Sequence, residues 1–175
     1  MENTPSTRWD IIQKKIFSLV ELKRQAASWR LKSDKIVFTN GCFDILHRGH
    51  VAYLAQAVSL GNRLIVAVNS DASVKKIKGE NRPVNDELSR ALVLASLHAV
   101  DAVIIFNEDT PLELIKELQP DILVKGGDYD PDCTDTKNPK YMVGSDVVKK
   151  RGGKAMAIPF VEGFSTSSVI KRINS

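Results

Sequence analysis

KIVFTNGCFDILHRGHVAYL, residues 35–54, decides how the remainder of this 175-residue chain is read. It opens on a short apolar run, Ile36-Val37-Phe38, that has the character of a fully buried strand. The chain then turns through Thr39-Asn40-Gly41-Cys42-Phe43-Asp44 and enters a helical pattern near Gly49, with His47 and His50 at the entry. A helix N-terminus carries unpaired N–H groups and partial positive charge, so it attracts phosphate. Gly41 lets backbone approach a ligand closely, and two imidazoles add hydrogen bonds to phosphate oxygens. The chemistry expected is phosphate handling at the end of a strand.

Upstream, residues 1–7 read as a tail, and Trp9, Ile12, Ile16, Leu19 and Leu22 fall near helical spacing. One amphipathic helix is expected over residues 9–27, covering the domain or a second subunit. Residues 1–34 are thus tail and covering helix, and residues 35–175 the domain itself. Downstream, a helix over 50–60 is stopped by Gly61-Asn62, and a second strand over 63–68 ends in Asn69-Ser70-Asp71. A helix over 86–99 takes Asn85 or Asp86 as its cap, and a third strand covers 102–106. Thr110, Pro111 and Glu113 open the next helix as cap, first position and third position, and Pro120 closes it. A fourth strand over 122–125 leads to a polar loop over 126–141. Ser145 caps a short helix, a fifth strand covers 154–158, and a final helix covers 165–173.

Strands alternating with helices, most strands continuously apolar, predict an α/β architecture: a Rossmann-like, doubly wound, five-stranded parallel sheet with an N-terminal helical extension. Ligands in such sheets bind beyond the carboxyl ends of the strands, where the strand order reverses. The glycine-rich and polar residues stand at those ends: Thr39-Asn40-Gly41, Asn69-Ser70-Asp71, Lys125-Gly126-Gly127-Asp128 and Glu162-Gly163-Phe164-Ser165-Thr166. If the first and fourth strands are neighbours, their loops flank one crevice.

Hydrophobic content of 43% and charged content of 26% are ordinary for a globular protein. No apolar run approaches the ~20 residues of a membrane span, and MENTPSTRWD carries no signal-peptide core. Two cysteines, Cys42 and Cys133, make no disulfide framework, so a cytoplasmic setting is expected. A net charge of +4 favours anionic partners. The basic residues come in twos and threes between acids, with no block alternating with aromatics, which favours small anions over nucleic acid.

Each motif has a plainer reading. His47 and His50 could be surface residues, or zinc ligands with Cys42, but zinc needs at least three protein ligands and the backbone of Cys42 is more useful in its turn. Lys75, Lys76, Lys78, Arg82 and Arg90 form a basic sector that solvent alone could explain. The Gly and Pro of Lys78-Gly79-Glu80-Asn81-Arg82-Pro83 make that run a loop able to fold over an anion, while Arg90, in a helix, could equally be an ion-pair partner. Adjacent Gly126 and Gly127 suit close approach to a base or ribose; Asp128 suits ribose hydroxyls or a metal. Ser165-Thr166-Ser167-Ser168 is an N-cap whose hydroxyls and free N–H groups also make an anion site. There is no GxxxxGK[ST] loop, no GxGxxG after the first strand and no GxSxG elbow, so kinase, hydride-transfer and hydrolase readings lose their main support.

Gly41-Cys42-Phe43-Asp44-Ile45-Leu46-His47-Arg48-Gly49-His50 resembles the GxFDxxHxGH signature of the cytidylyltransferase-like nucleotidyltransferases. Within that family VAVNSDASVKKIKGENRPVN, VKGGDY and GFSTSSVIKRI resemble the adenylyltransferases that make ADP-heptose from D-glycero-β-D-manno-heptose 1-phosphate. The subfamily usually shows two threonines where this chain has Thr166-Ser167. The resemblance implies that His47 and His50 are catalytic and touch the triphosphate. It places Thr39, Asn40, Gly41, Cys42, Phe43, Gly49, Lys125, Gly126, Gly127, Asp128, Ser165, Thr166 and Ser167 around the nucleotide. It places Asp44, Asp71, Lys78, Arg82 and Arg90 around the second substrate. ATP and a sugar 1-phosphate are the implied substrates, with Mg2+ accompanying the ATP; no resident metal, nucleic acid or membrane partner is implied, and a homodimer is one arrangement the N-terminal helix could serve. Some members carry a sugar-kinase domain on the same chain; none is legible here, so heptose 1-phosphate is expected from elsewhere. Within the enzyme class a glycerol-3-phosphate cytidylyltransferase is the rival, because backbone groups would choose between ATP and CTP. Outside it, the rival is a nucleotide-binding regulatory module.

Overall fold

The apolar run of the opening stretch forms β1 (Ile36–Gly41), the central strand of a five-stranded parallel sheet in a computed structural model that describes residues 7–127, 129–159, 161 and 163–173. Its companions are β2 (Arg63–Asn69), β3 (Ala102–Phe106), β4 (Ile122–Gly126) and β5 (Lys154–Ile158), in the order β3-β2-β1-β4-β5. β1 and β2 pair from Ile36↔Arg63 through Gly41↔Val68. The β1–β4 ladder runs only through Val37↔Ile122 and Phe38↔Leu123, so the two strands are not zipped together at their carboxyl ends. The strand order reverses between β1 and β4, and this is the crevice the sequence anticipates.

Alternate residues of the strands feed two cores. Ile36 and Phe38 of β1 and Ile65 and Ala67 of β2 face one layer, with α2 (Leu19–Leu31), α6 (Leu112–Leu118) and α7 (Ser145–Lys150). Val37, Leu64, Val66 and Val68 face the other, with α3 (Arg48–Val58) and α5 (Glu87–Ser96). Apolar runs buried on both sides of the sheet need helices on both faces, and the helices present matching stripes: Leu54 and Ala57 of α3, Leu94 and Ala95 of α5. α8 (Thr166–Ile173) closes the chain over the carboxyl end of the sheet, with its side chains Ser167, Ser168 and Lys171 outside the described set. Among the described residues no helix is long and apolar enough to cross a membrane.

Four elements differ from the sequence reading. The N-terminal helix is two helices, α1 (Arg8–Gln13) and α2, opened by capping boxes at Thr7/Asp10 and Ser18/Glu21. Between them the chain runs beside β3: Val103 N–H donates to Lys15 O at 2.7 Å, and Phe17 N–H donates to Val103 O at 2.9 Å. Pairing with the sheet edge therefore overrides a continuous helix. Asp71–Lys78 is α4, where a basic stretch running into a loop was expected; Ser70 caps it by accepting from Ser73 N–H. α6 has Pro111 as its cap residue with no side-chain hydrogen bond, so Thr110 does not cap it, and Gly144 rather than Ser145 precedes α7.

Candidate active site

β1 delivers Asn40 and Gly41 to the crevice, and a sharp turn follows in which Phe43 takes φ +45°, a backbone region L-residues rarely adopt. A Cβ on Gly41 would lie 3.1 Å from the Phe43 ring, so a side chain there would force that ring to give. The turn hands the chain to α3 with His47 as its extended cap residue (φ −141°) and His50 in its first turn. The His47 side chain makes no capping hydrogen bond, which leaves its ring free to stack on His50 at a centroid separation of 3.9 Å. Gly49 lies under that stack: a Cβ there would sit 3.0 Å from His47 Nδ1 and 3.2 Å from Phe164 Cβ. Phe164 precedes α8, lies 6.3 Å from His47 and carries the Arg48 guanidinium 5.5 Å above its ring. Thr166 Oγ1 donates to Ile45 O at 3.3 Å. The N-termini of α3 and α8 are thereby held together, and both border one place.

That place is a cavity of about 620 Å³. Of the residues predicted from sequence it brings together Asn40, Gly41, Cys42, Phe43, Asp44, His47, Gly49, His50, Lys78, Arg82, Lys125, Gly126, Ser165 and Thr166. Among the described residues, Asn40 Oδ1, His47 Nδ1 and His50 Nδ1 are buried with no hydrogen-bond partner. A buried polar atom left unpaired costs about 1–3 kcal/mol, so three at one cavity mark where a ligand's own polar groups complete the site. Burial holds His47 below the ordinary imidazole range, and burial plus the neighbouring His47 ring lowers His50 from 6.5 to about 4. Burial thus favours a neutral imidazole, which an anion at the site would help to protonate. Lys125 is lowered by burial to about 8; its Nζ donates to Asn40 O at 3.1 Å and lies 5.4 Å from the Tyr129 ring centroid. Burial also raises the Cys42 thiol, which leaves a protonated group rather than a nucleophile in the turn.

The loop after α4 is latched to the turn by Asp44, which is 3% exposed. Its Oδ2 accepts from Arg82 Nε at 2.5 Å and its Oδ1 from the N–H groups of Val84 and Asn85 at 2.7 and 3.1 Å. Asp44 fixes a loop that carries Lys78 and Arg82 to the rim, and it has little acceptor capacity left for a ligand. Arg90, which the sequence offers both as a substrate contact and as an ion-pair partner, is placed as a strut. Its side chain is fully buried and donates to Cys42 O at 2.6 Å, Asn85 O at 3.0 Å and Asp71 Oδ1 at 2.7 Å. Asp71 is occupied by that pair and, like Arg90, lines no part of the cavity. Thr39 is buried against Tyr53, hydroxyl to hydroxyl at 2.7 Å, and Gly127 turns at φ +79°; neither lines it. Asp128 lies outside the described residues, as does the Ser167 side chain. Sequence reasoning missed Tyr53 and Val161, and it named Gly163, Phe164 and Tyr129 only as parts of their loops without a role. Tyr53 could have been found, because it stands one turn past His50 on the same helix face.

Among the described residues no three His, Cys, Asp or Glu side chains cluster to hold a metal ion. Asp44, the one carboxylate of the described cavity lining, has both oxygens engaged, while Asn40 Oδ1 is buried without a hydrogen-bond partner. A divalent cation here would be held by a ligand's phosphates and its own waters rather than by protein carboxylates.

The Cytidylyltransferase-like family profile matches residues 38–172. The bifunctional protein HldE of Wolinella succinogenes is 52% identical over 161 residues, covering 92% of this chain and 31% of that protein. HldE of Pasteurella multocida is 54% identical over 158 residues, covering 90% and 32%. The chain thus spans about a third of the length of the curated relatives it matches. Among solved structures, the lipopolysaccharide core biosynthesis protein of Thermoplasma volcanium superposes with a TM-score of 0.55 at 30% identity, covering 73% of this chain and 97% of that one. A pantoate-beta-alanine ligase from Francisella tularensis shares the fold, with a TM-score of 0.58 at 15% identity over 91% of this chain and 76% of that one. With the signature at the cavity and the match running through both helix N-termini, this chain belongs to the cytidylyltransferase-like family of nucleotidyltransferases.

Proposed function

We propose that the chain transfers AMP from ATP to D-glycero-β-D-manno-heptose 1-phosphate, giving ADP-heptose and pyrophosphate for lipopolysaccharide core precursors. The observation that carries the chemistry is the stacked His47–His50 pair, each with an unpartnered buried nitrogen, at a helix N-terminus beside Lys125. The sugar and the base rest on the likeness to the HldE relatives and to the lipopolysaccharide core protein.

An oxygen of the acceptor's phosphate attacks the α-phosphorus of ATP in line. The bond from that phosphorus to the oxygen bridging to the β-phosphate breaks, and pyrophosphate leaves with the electron pair. A phosphate monoester is already an anion, so neither imidazole has to act as a base. His47 and His50 donate to phosphate oxygens and gain protonation as negative charge gathers near them, while the N–H groups opening α3 and α8 hold the outer phosphates. Bound Mg2+ would offset charge on the leaving pyrophosphate. Gly41 and Gly126 let backbone lie against the nucleotide, and the latched Lys78–Arg82 loop shields the phosphates from water.

The test is kcat/KM on one preparation for two substrate pairs: ATP with the heptose 1-phosphate, and CTP with glycerol 3-phosphate. The expected result is pyrophosphate release with the first pair and little with the second. A higher value for the CTP pair would refute the heptose assignment, and no release with either would favour a binding module.

A further inference from the structure

Beside the cavity over the histidines lies a second one of about 490 Å³, and the two share a wall. Asn40, Gly41, Cys42, Lys78, Lys125 and Tyr129 line both. The far side of the second cavity is different in kind. Asp109 and Lys137 place one charge of each sign there, and Asn69, Thr110, Thr136, Asn138 and Tyr141 supply amides and hydroxyls, with no histidine and no part of the α3 or α8 N-terminus. The amides and hydroxyls suit neutral hydroxyls, which both donate and accept. The α3 and α8 N-termini belong to the first cavity; a body rich in hydroxyls fits the second.

We propose that the second cavity takes the polyhydroxylated body of the acceptor sugar phosphate, and that Lys125 holds its phosphate against the α-phosphorus of the nucleotide. The proposal rests on the transfer reaction given above. Lys125 leaves the carboxyl end of β4 at the point where β1 and β4 part, and its Nζ stands in the shared wall. Among the described residues one of its N–H groups goes to Asn40 O, and the ring of Tyr129 covers it from another side. Two N–H groups therefore remain for phosphate. An ammonium there bridges two anions that otherwise repel, one in each cavity, during the step that joins the acceptor oxygen to the α-phosphorus and releases pyrophosphate. Burial weakens the hold of Lys125 on its proton, and an arriving phosphate restores it. At the opposite end, Asp109 is 81% exposed on its side chain and pairs with Lys76 only at 3.3 Å, so it can turn to a sugar hydroxyl. A site that hydrogen-bonds hydroxyls strongly rejects an acceptor lacking them.

The experiment plugs the second cavity and leaves the first open. Thr110 is exposed beyond β3, so Thr110→Trp adds bulk to the lining without entering the core. Steady-state constants are measured with heptose 1-phosphate, or with whichever sugar phosphate the wild type accepts best in a pyrophosphate-release screen. The expected result is an acceptor KM raised at least ~10-fold with the KM of ATP within about twofold. Lys125→Met should lower kcat/KM for the acceptor by about 10²-fold, and Lys125→Arg should recover most of it. An unchanged acceptor KM in Thr110→Trp overturns the proposal. So does a rise in the KM of ATP alone, which would seat the nucleoside in the second cavity. A wild type that prefers another sugar phosphate refutes the heptose identity and leaves this site to be judged by the Thr110→Trp result. A wild type that uses no sugar phosphate overturns both.

Discussion

Replacing Gly49 by alanine should separate stability from activity. Gly49 is the second residue of α3, and in a helix alanine is favoured over glycine by about 0.5–1 kcal/mol. The new methyl group would lie 3.0 and 3.1 Å from His47 Nδ1 and Cε1 and 3.2 Å from Phe164 Cβ. These distances are tighter than ordinary van der Waals contact, and the His47 ring has His50 stacked on its other side at 3.9 Å between centroids. The ring must slide or tilt by a few tenths of an ångström, at a cost comparable to the helix-forming gain. Net stability should stay within about 1 kcal/mol of wild type. The chemistry has no such compensation, because a donor aimed at developing charge loses about 10²-fold when misplaced by an ångström. We expect kcat to fall by about 10- to 10²-fold, with an unchanged or higher urea midpoint and an unchanged slope. Pyrophosphate release and urea denaturation of the same preparation decide it. A variant within twofold of wild-type kcat would refute the packing argument, and a loss of more than about 3 kcal/mol would show that Gly49 is there for the fold.

Two further outcomes follow from single groups. His50 is lowered from 6.5 to about 4, so the folded chain binds fewer protons than the unfolded one between those values; stability is full above pH 6.5 and falls as pH drops toward 4. His50→Gln should flatten that stretch of a urea-midpoint-against-pH curve, and an equal slope in both proteins would remove His50 as its source. Arg90→Met strips the donors from Cys42 O and Asn85 O and leaves Asp71 unpaired; as Asp71 can turn to water, the loss should sit at the low end for a broken buried pair, about 3 kcal/mol. Urea unfolding showing a loss below about 1 kcal/mol would contradict the strut.

What could be seen in the sequence followed periodicity and local chemistry. The strand Ala102–Phe106 and the strand Lys154–Ile158 have the bounds their apolar runs predict, whereas the neighbouring of β1 and β4 entered the sequence reading only as a condition and is met by the strand order. α4 was hidden because its buried residues are Ser73 and Val74, too few for a readable stripe, although Ser70 before Asp71 is a cap signal. Glu21 three residues after Ser18 announced the start of α2, but the break before it depends on Val103, far along the chain. Arg90 illustrates what one-dimensional reading lacks. Its partner Cys42 O is 48 residues away, and only the crossing of α5 behind the phosphate turn turns a basic helical residue into a buried tie. Lys125 was assigned to the nucleotide; that it stands between two cavities requires both to be drawn in space.

The short pairing of Ile16 with Val103 also bears on what the edge of the sheet offers to other chains. β3 is the outermost strand on its side, and an outermost strand offers unpaired N–H and C=O groups to any other extended chain. Lys15 and Phe17 occupy both backbone groups of Val103, and the ammonium of Lys15 is anchored by Val100 O at 2.7 Å. The segment acts as a built-in selvedge: it finishes the weave where another molecule could otherwise be stitched on, with a charge set at the border. Trimming the chain to begin at β1 would spare the histidines and both cavities, yet it would leave an apolar rim of Val103, Ile104 and Ile105 open to sheet-to-sheet joining between molecules.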